Sequence, residues 1–258
     1  MAELGKADRD FFDSYIYPNL GADREDVRLG PRHGVDFGVI DVGERVIATA
    51  TDPVFVMPSL GFERAAWFAF HILMSDVAVS GIPPTHLSVD FNLPPEITDE
   101  EFAQVWKTFD TEARELGVNV ITGHTGRYAG CNYPMVGGGT ALGIGDPGDL
   151  VRPDGARPGD RVLITKGPAI EATGLLSIQF AELMREELSE DEIENATDRF
   201  SDMSPVRDAL TVAAAGQVTA MHDATEGGVF GGFYVMARAG GVHLDVETDS
   251  IPVQPGVE

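Results

Sequence analysis

The sequence predicts an α+β protein of two domains, and two features of the chain support this prediction. Between residues 45 and 144, apolar segments with strand periodicity alternate with segments of helical periodicity. From residue 146 to residue 159 the chain is rich in Pro, Gly and Asp and poor in apolar residues, which is typical of a domain boundary. We therefore predict an N-terminal domain over residues 1–148 and a C-terminal domain over residues 149–258.

The N-terminal domain is predicted to contain a sheet and two long helices, preceded by a short helix over Asp8–Tyr17. Glu63–Val79 is apolar nearly all round, which indicates a buried helix. Thr98 and Glu101 have the spacing of a capping box, so a second helix is predicted from there to about Leu116. The predicted strands are Arg45–Thr51 (which stops at Asp52-Pro53), Thr85–Phe91, Val118–Ile121 and Tyr133–Ile144.

The C-terminal domain is predicted to mix strands and helices again. The predicted strands are Arg161–Thr165, Val218–Met221 and Val242–Val246. The predicted helices are Ala169–Glu187, Asp191–Arg199, Val206–Ala215 and Thr225–Ala239. After the last strand no further element follows to cover it, so we expect this domain to be truncated.

The N-terminal sheet is predicted to dimerise, because its two helices can cover only one face. We expect the other face to carry Val46, Leu87, Val89 and the Val136–Gly139 run, whose glycines permit another sheet to approach closely. A large exposed apolar face is not tolerated by a soluble monomer, and an isologous homodimer is the commonest closed solution. The alternative is a monomer in which the second domain folds over that face.

The charge of the chain excludes several classes of partner. Its 42 acidic and 18 basic residues give a formal net charge of −24, which argues against nucleic acid and anionic membrane surfaces as partners. Lysine occurs only as Lys6, Lys107 and Lys166. An acid excess with so little lysine favours a halophilic protein, because screening over about 3 Å at 1 M salt removes most self-repulsion. The alternative is an ordinary acidic cytosolic protein.

The cysteine content and the apolar segments indicate a cytoplasmic protein. Cys131 is the single cysteine, so neither an intrachain disulfide nor a cysteine metal cluster is possible. The first ten residues are charged and lack the apolar segment of a signal peptide. The longest apolar stretch, Ala65–Met74, is far shorter than the roughly 20 residues that a membrane span needs.

The segment Met221–Gly228 is the most informative candidate site. It holds an imidazole, two carboxylates, a hydroxyl and a Gly pair, namely His222, Asp223, Glu226, Thr225 and Gly227-Gly228. Asp223 and Glu226 have capping-box spacing, which predicts a helix start where bare backbone N–H groups can meet an anionic ligand. The carboxylates at this helix terminus repel a phosphate group. A phosphate can therefore bind there only with a cation between it and the carboxylates. The alternative is an ordinary capped helix.

Isolated acids upstream point to the same chemistry. Asp76 lies within the most apolar helix, where an uncompensated carboxylate costs several kcal/mol. Asp52 lies at the end of a predicted strand, Asp36 lies between two glycines, and His124 follows Val118–Ile121 in a predicted loop. Alternatives are an arginine partner or an exposed position for Asp76, a turn role for Asp52 and a structural role for His124. Oxygen ligands without cysteine favour Mg²⁺ over zinc.

The order of these motifs resembles the aminoimidazole ribonucleotide synthetase (PurM-like) superfamily, and within it the archaeal HypE-like branch. Six segments carry the resemblance over about residues 30–246: Gly34–Val39, Thr51-Asp52-Pro53, Ser75–Ala78 with Gly81 and Pro83, Gly123-His124-Thr125, Thr165-Lys166-Gly167 and His222–Gly228.

The resemblance implies two α+β domains, a homodimer and ATP in a cleft, with Mg²⁺ bridging its phosphates to Asp36, Asp52 and Asp76. It implies nucleotide contacts from Gly34, Asp36, Thr51, His124, Thr125, Thr225, Gly227 and Gly228. Lys166, His222 and Asp223 are the catalytic candidates. The implied reaction is ATP-driven phosphorylation or activation of a carbonyl or amide oxygen, on a small-molecule or protein carboxamide-type acceptor.

Departures from the family pattern keep an alternative open. Val35 stands where an acid is usual, Ser75 replaces asparagine and His124 replaces aspartate. The cysteine-bearing tail of HypE, which receives a carbamoyl group, has no counterpart before Glu258. The alternative is therefore a nucleotide-binding regulatory paralogue without turnover.

Overall fold

A computed structural model describes residues 5–7 and 9–257. Its centre is one six-stranded sheet of order β1-β2-β3-β6-β4-β5, in which every neighbouring pair is antiparallel except β4 and β5. The strands are β1 Val27–Leu29, β2 Gly38–Val42, β3 Arg45–Phe55, β4 His86–Leu93, β5 Asn119–Arg127 and β6 Met135–Gly145. The α+β prediction is confirmed.

Two long helices cover one face of this sheet: α2, Phe62–Ala78, and α3, Asp99–Leu116. The predicted capping box at the start of α3 is present, since Thr98 Oγ1 accepts from the Glu101 N–H and Glu101 accepts from the Thr98 N–H. The predicted N-terminal helix is shorter, because α1 covers Arg9–Phe11 and a π-helical turn and a 3₁₀ turn follow it. Asp8 lies outside the described residues.

β3 is longer than predicted, since it passes through Asp52 and Pro53 to Phe55. Asp52 pairs with Gly139 and Pro53 with Gly138 on β6. β2 pairs with β3 only as far as Thr49, so beyond that point β3 has β6 as its one neighbour. A strand with one free edge tolerates proline, because no ladder bond is lost on that side.

The prediction of which side chains occupy the open face of the sheet was wrong. Val46, Leu87, Val89 and Val136 are buried on the face that the helices cover. Strand side chains alternate with period two, so Leu87 and Val89 share a face with the buried Phe91. Gly139 also belongs to that face, because a Cβ there would lie 2.7 Å from Leu73 of α2. Its small size therefore allows α2, rather than another sheet, to approach.

The chain after residue 145 contributes helices: α4 Ile170–Gln179, α5 Ala181–Met184, α6 Glu190–Asp202, α7 Val206–Ala214 and α8 Gly228–Gly240. Within the described part of the chain no strand follows β6, so the strands predicted at residues 161–165, 218–221 and 242–246 were wrong. Their residues are apolar, but a strand needs a hydrogen-bonded neighbour, and none pairs with them here. The Leu163 side chain is accordingly 73% exposed.

The C-terminal helices pack onto the N-terminal core. Phe200 of α6 and Val206 and Ala209 of α7 are buried in the same hydrophobic cluster as α2 and the sheet. The Trp67 ring of α2 lies 5.3 Å from the Phe200 ring. None of the described helices is both long and apolar enough to cross a membrane.

Candidate functional site

Asp52 and Asp76 meet at the interface between β3 and α2. Strand alternation places Asp52 on the same face as Ala48, Ala50 and Val54, which is the face that α2 covers. Asp76 lies in the last turns of α2 and is half-buried. The two carboxyl groups lie close enough to interact, since the charge of Asp52 contributes to the raised pKa of Asp76.

Asp36 reaches the same region from the extended segment before β2. Gly34, two residues earlier, has φ +78° and packs so closely on α8 that a Cβ would lie 2.7 Å from Cγ1 of Val235. Only glycine combines this backbone conformation with this contact. Packing of the segment on α8 brings Asp36 beside the loop before that helix, where His222 Nδ1 lies 3.4 Å from Asp36 Oδ2.

The loop of residues 221–227 is not capped as predicted. α8 begins at Gly228, its N-cap is Gly227 with φ +79°, and no side chain caps it. Asp223 lies beside His222 instead, with Oδ1 3.4 Å from Nδ1. Glu226 accepts from the Thr225 hydroxyl at 3.0 Å. The capping-box prediction was wrong because α8 starts only at Gly228, so that Asp223 lies in the loop before the helix rather than at its N-cap.

Burial and mutual repulsion raise the pKa values of the acids in this cluster. Burial, followed by the charges of Asp223 and Asp52, raises the pKa of Asp76 to about 10. Burial also raises the pKa of Asp52 and that of Asp36. These directions show that the described residues supply too little positive charge for three ionised aspartates at one place.

Two cationic groups respond to the acids. Burial acts to lower the pKa of His222, but the nearby carboxylates of Asp223 and Asp36 outweigh it and raise this pKa. The Lys6 ammonium lies 3.5 Å from Glu226 Oε2. Burial opposes its charge, yet the charges of Glu226, Asp36 and Asp76 raise its pKa as well. The carboxylates of this cluster thus create a negative potential that stabilises cations. Divalent ions bind in such an environment.

The donor set fits Mg²⁺. Carboxylate oxygens come from β3, α2 and the segment before β2, and Mg²⁺ prefers oxygen ligands. Asp223 Oδ1 is buried and has no hydrogen-bond partner among the described residues. A buried acceptor without a donor is rare in proteins, and a ligand, an ion or a water molecule can complete it.

Thr51 lies away from the acids. It occupies the open face of the sheet, opposite to Asp52, where its hydroxyl is 2.9 Å from that of Thr140. β3 passes through both residues, so the alternation of its side chains puts Thr51 and Asp52 on opposite faces. Nucleotide contact from Thr51 within the same cluster therefore conflicts with the geometry of β3.

His124 and Thr125 also lie apart from the acids of the same chain. Both are in β5 rather than in the predicted loop, and β6 and β4 separate this edge strand from β3. At a strand spacing of ~4.8 Å this places them roughly 14 Å from β3. His124 Nε2 is hydrogen-bonded to the Tyr128 hydroxyl.

Lys166 is at a strained turn. The Gly167 N–H donates to the Thr165 carbonyl at 2.8 Å, which closes a γ-turn around Lys166 with φ +64°. Its ammonium donates to the Ser204 carbonyl at 2.7 Å and pairs with Asp208 at 2.9 Å. Lys166 can therefore contact a phosphate only if its ion pair with Asp208 breaks.

His71 is a buried polar residue that the sequence analysis missed. Burial lowers its pKa to about 4, so the imidazole is neutral. Its Nδ1 accepts from the Ser204 hydroxyl at 2.7 Å and its Nε2 donates to Glu112 at 3.1 Å. This chain of hydrogen bonds ties α2 and α3 to the segment before α7. In the sequence His71 was only one polar residue within an apolar helix.

The fold is that of the PurM-like two-domain proteins, as solved structures show. A structure described as "AaThiL complexed with AMPPCP and TMP" matches with a TM-score of 0.69 and 20% identity, over 85% of this chain and 68% of that one. Hydrogenase maturation protein HypE in complex with ATP matches with a TM-score of 0.61 and 23% identity, over 96% of this chain and 68% of that one.

Family comparison assigns both halves of the chain. "AIR synthase related protein, N-terminal domain" matches residues 34–145, and "AIR synthase related protein, C-terminal domain" matches residues 157–257. These matches together cover well over half of the sequence, so the chain belongs to the AIR synthase related protein family.

Two curated relatives illustrate the similarity. Carbamoyl dehydratase HypE of Azotobacter vinelandii is 29% identical over 73% of this chain and 53% of its own length. Selenide, water dikinase of Geobacter metallireducens is 28% identical over 92% of this chain and 66% of its own length. The chain thus spans between about half and two thirds of the length of these relatives.

Proposed function

We propose that the acidic cluster binds Mg²⁺ together with ATP, and that the protein uses the nucleotide to phosphorylate or activate a carbonyl or amide oxygen of an acceptor. The observation that carries the proposal is Asp76, whose carboxyl is held beside Asp52 in a place where burial disfavours its charge. A divalent ion supplies the missing positive charge, and it also lets a strongly acidic protein hold a triphosphate.

The relatives support this assignment of nucleotide and reaction class. One related structure contains ATP and another contains AMPPCP. The related enzymes are named carbamoyl dehydratase and selenide, water dikinase, and the second name describes a phosphotransfer. The nature of the acceptor differs between these names. We therefore propose only that an acceptor oxygen, of a small molecule or a protein carboxamide, attacks the γ-phosphorus of ATP and that ADP leaves.

Each group in the cluster has a chemical role in this proposal. Asp36, Asp52 and Asp76 hold Mg²⁺, which neutralises phosphate charge and orients the nucleotide. The loop before α8 and the helix start at Thr225, Gly227 and Gly228 offer backbone N–H groups to phosphate oxygens. His222, next to Asp36 and Asp223, is positioned to hold or move a proton at Nδ1.

A regulatory paralogue that binds nucleotide without turnover is the second candidate. Val35 supports it, because this residue packs against the hydrophobic core where the family pattern has an acid. His124 supports it as well, since it replaces an aspartate of the family motif. Against it stands the convergence of Asp36, Asp52, Asp76 and Asp223 at one place.

Measurement of ADP formation separates the two candidates. The protein is incubated with ATP and Mg²⁺ in molar KCl, alone and with carboxamide acceptors. We expect Mg²⁺-dependent ADP formation that Asp52→Asn abolishes and that Asp198→Asn, on the exposed side of α6, leaves unchanged. ATP binding without ADP formation under all these conditions would favour the regulatory paralogue instead.

A further inference from the structure

A chain of hydrogen bonds runs from α3 through His71 of α2 to the turn at Lys166. Glu112 lies 3.1 Å from His71 Nε2, and the Ser204 hydroxyl lies 2.7 Å from His71 Nδ1. The Ser204 carbonyl accepts from the Lys166 ammonium at 2.7 Å. The His71 and Glu112 side chains are only 6% and 15% exposed. One serine therefore contacts the imidazole with its hydroxyl and the lysine with its carbonyl.

The direction of this chain follows from its buried end. A carboxylate can only accept hydrogen bonds, so His71 Nε2 carries the proton that is donated to Glu112. The imidazole is neutral, since burial, followed by the charge of Arg207, lowers its pKa to about 4. A neutral imidazole with a proton on Nε2 can only accept at Nδ1. The Ser204 hydroxyl therefore donates to His71, which fixes the orientation of the serine side chain.

Ser204 is held by this bond rather than by the helix that follows it. α7 begins at Val206, its N-cap is Pro205, and no side chain caps it. The imidazole itself is fixed by packing, because the Trp67 ring lies 4.2 Å from the His71 ring. The position of the Ser204 backbone therefore depends on His71 more directly than on the start of α7.

The Lys166 ammonium has one directional contact and one ionic contact. The backbone of Lys166 is fixed separately, because Gln254 Nε2 donates to its carbonyl at 2.7 Å. The ammonium donates to the Ser204 carbonyl and lies 2.9 Å from Asp208 Oδ2. Among the described residues this carboxylate oxygen makes no hydrogen bond of its own. An anion can therefore replace the Asp208 carboxylate while the Ser204 carbonyl keeps the ammonium in place.

We propose that His71 is a positioning residue for Lys166, and that it acts by fixing the Ser204 carbonyl to which the ammonium donates. The inference rests on the proposed function, because the anion that replaces the Asp208 carboxylate would be a phosphate oxygen. His71 and Asp76 lie five residues apart on α2, which is about 7.5 Å along the helix axis. One helix thus carries a carboxylate of the proposed nucleotide site and the imidazole that orients the lysine.

Hydrogen exchange of the lysine ammonium groups tests the positioning without nucleotide. The chain contains only Lys6, Lys107 and Lys166, so protein labelled with ¹⁵N-lysine gives at most three ammonium signals, which Lys107→Arg and Lys166→Arg assign. In the parent protein we expect slow exchange with water for Lys166 and fast exchange for Lys107, which is exposed on α3.

Two serine variants form a matched pair for this measurement. Ser204→Ala keeps the carbonyl but removes the hydroxyl that holds it, so the exchange of Lys166 should become about tenfold faster, as on weakening a hydrogen bond to a charged group. Ser201→Ala removes a hydroxyl that donates to the Asp198 carbonyl and should leave the exchange unchanged. Parent-like exchange of Lys166 in Ser204→Ala would overturn the proposal.

Two histidine variants separate positioning from a loss of packing, and they keep the proposal testable if Ser204→Ala does not fold. Both remove the ring, but His71→Asn places an amide oxygen near the position of Nδ1, whereas His71→Gln places one near that of Nε2. We expect slow exchange of Lys166 in His71→Asn and fast exchange in His71→Gln. Equal exchange in these two variants would overturn the proposal.

Kinetics of Mg²⁺-dependent ADP formation test the consequence for the proposed function. Ser204→Ala leaves the acidic cluster intact, so it should keep the affinity for Mg-ATP and lower kcat by up to about 100-fold, as a misplaced group can. Ser204→Thr keeps the hydroxyl and should behave as the parent does. An unchanged kcat in Ser204→Ala would overturn the proposal. A parent protein that forms no ADP would contradict the proposed function alone, and the exchange measurements would still decide whether His71 positions Lys166.

Discussion

At the scale of single residues, Asp76 decides how the cluster behaves without a cation. It lies within a helix whose neighbouring residues Ser75 and Val77 are buried. Its raised pKa, about 10, results first from burial and then from Asp223 and Asp52. The same carboxyl, which opposes folding when it is ionised, would favour folding with the divalent ion that we propose there bound to it.

We expect Asp76→Asn to stabilise the cation-free protein at neutral and alkaline pH. The pKa of Asp76 is higher in the folded protein than the unfolded value of 3.8. The contribution of this carboxyl to the free energy of unfolding is therefore fully present below about pH 4 and is lost as the pH rises toward 10. Asparagine has nearly the same shape as aspartate but does not ionise, so the variant does not lose this stability as the pH rises. A gain of 1 kcal/mol raises Tm by about 2–4 °C in a chain of this size.

Calorimetric melts in EDTA at pH 5 and pH 8 measure this difference. The Tm gap between Asp76→Asn and the parent should widen from pH 5 to pH 8, and Mg²⁺ should close it by stabilising the parent alone. Parallel melts at both pH values would mean that Asp76 has an ordinary pKa.

Which residues converge could be predicted only in part from the sequence. The motifs identified Asp36, Asp52, Asp76, His222 and Asp223, and the structure brings all five together. The approach of Lys6 to Glu226 has no counterpart in any sequence motif, because that contact depends on how the N-terminal segment packs. Thr51 lies on the opposite face from Asp52, because β3 continues through both residues and its side chains alternate.

At the scale of elements, the segment of Gly34 and helix α8 position Asp36. Gly34 and Gly43 both have positive φ, +78° and +62°. A Cβ on Gly34 meets Val235, whereas a Cβ on Gly43 meets nothing within 4 Å. An alanine at Gly43 therefore destabilises only through its backbone conformation, whereas an alanine at Gly34 also destabilises through its contact with Val235.

We expect Gly34→Ala to destabilise the fold by more than Gly43→Ala and to weaken Mg-ATP binding as well. Gly43→Ala should cost only the roughly 1–2 kcal/mol of placing a Cβ in the left-handed region. Urea unfolding gives the two free energies of unfolding, and a nucleotide titration gives the affinities. Equal losses of stability with unchanged affinity would show that the contact with α8 does not position Asp36.

Elements set by local chemistry were predicted better than those set by pairing. The Thr98–Glu101 capping box depends on four consecutive residues and is confirmed. The segments around Val162, Val218 and Val242 have strand-like composition but no partner in the described chain, so composition alone misled there. The box at Asp223 failed because α8 starts at Gly228, which leaves Asp223 in the preceding loop beside His222.

At the scale of the whole molecule, the open face of the sheet carries an apolar stripe. Ile40 is paired with Ile47, and Ile47 with Ile144, so these three side chains lie side by side across β2, β3 and β6. Ile144 is 41% exposed. We still expect an isologous dimer, because two copies of this apolar stripe can cover each other. The stripe takes the place of Val46, Leu87, Val89 and Val136–Gly139, which were predicted on that face.

We expect a homodimer in molar KCl that Ile144→Asp converts to monomer. A carboxylate in the stripe would be desolvated without a partner on association. Leu163→Asp, which replaces an exposed apolar residue of the C-terminal half, is the matched control and should leave the dimer intact. A parent mass near 27.6 kDa by light scattering, independent of concentration, would rule the dimer out.

The acid excess should make stability depend on salt. The net charge is −24, so the acidic groups repel one another. The Debye length over which this repulsion acts is about 30 Å at 0.01 M salt but only about 3 Å at 1 M. We expect Tm to fall on dialysis from molar to millimolar KCl. An unchanged melt would contradict the halophilic prediction and leave an ordinary acidic protein.

Calorimetric titration of ATP in molar KCl, with Mg²⁺ or with EDTA, tests the central claim that the acidic cluster holds Mg-ATP. We predict binding with Mg²⁺, loss of binding in EDTA, and a loss of about 1.4 kcal/mol or more, a factor of ten in Kd, for both Asp52→Asn and Asp76→Asn. Asp198→Asn, on an exposed helical position, should bind as the parent does. Equal affinity with and without Mg²⁺, or in the parent and both cluster variants, would contradict the account.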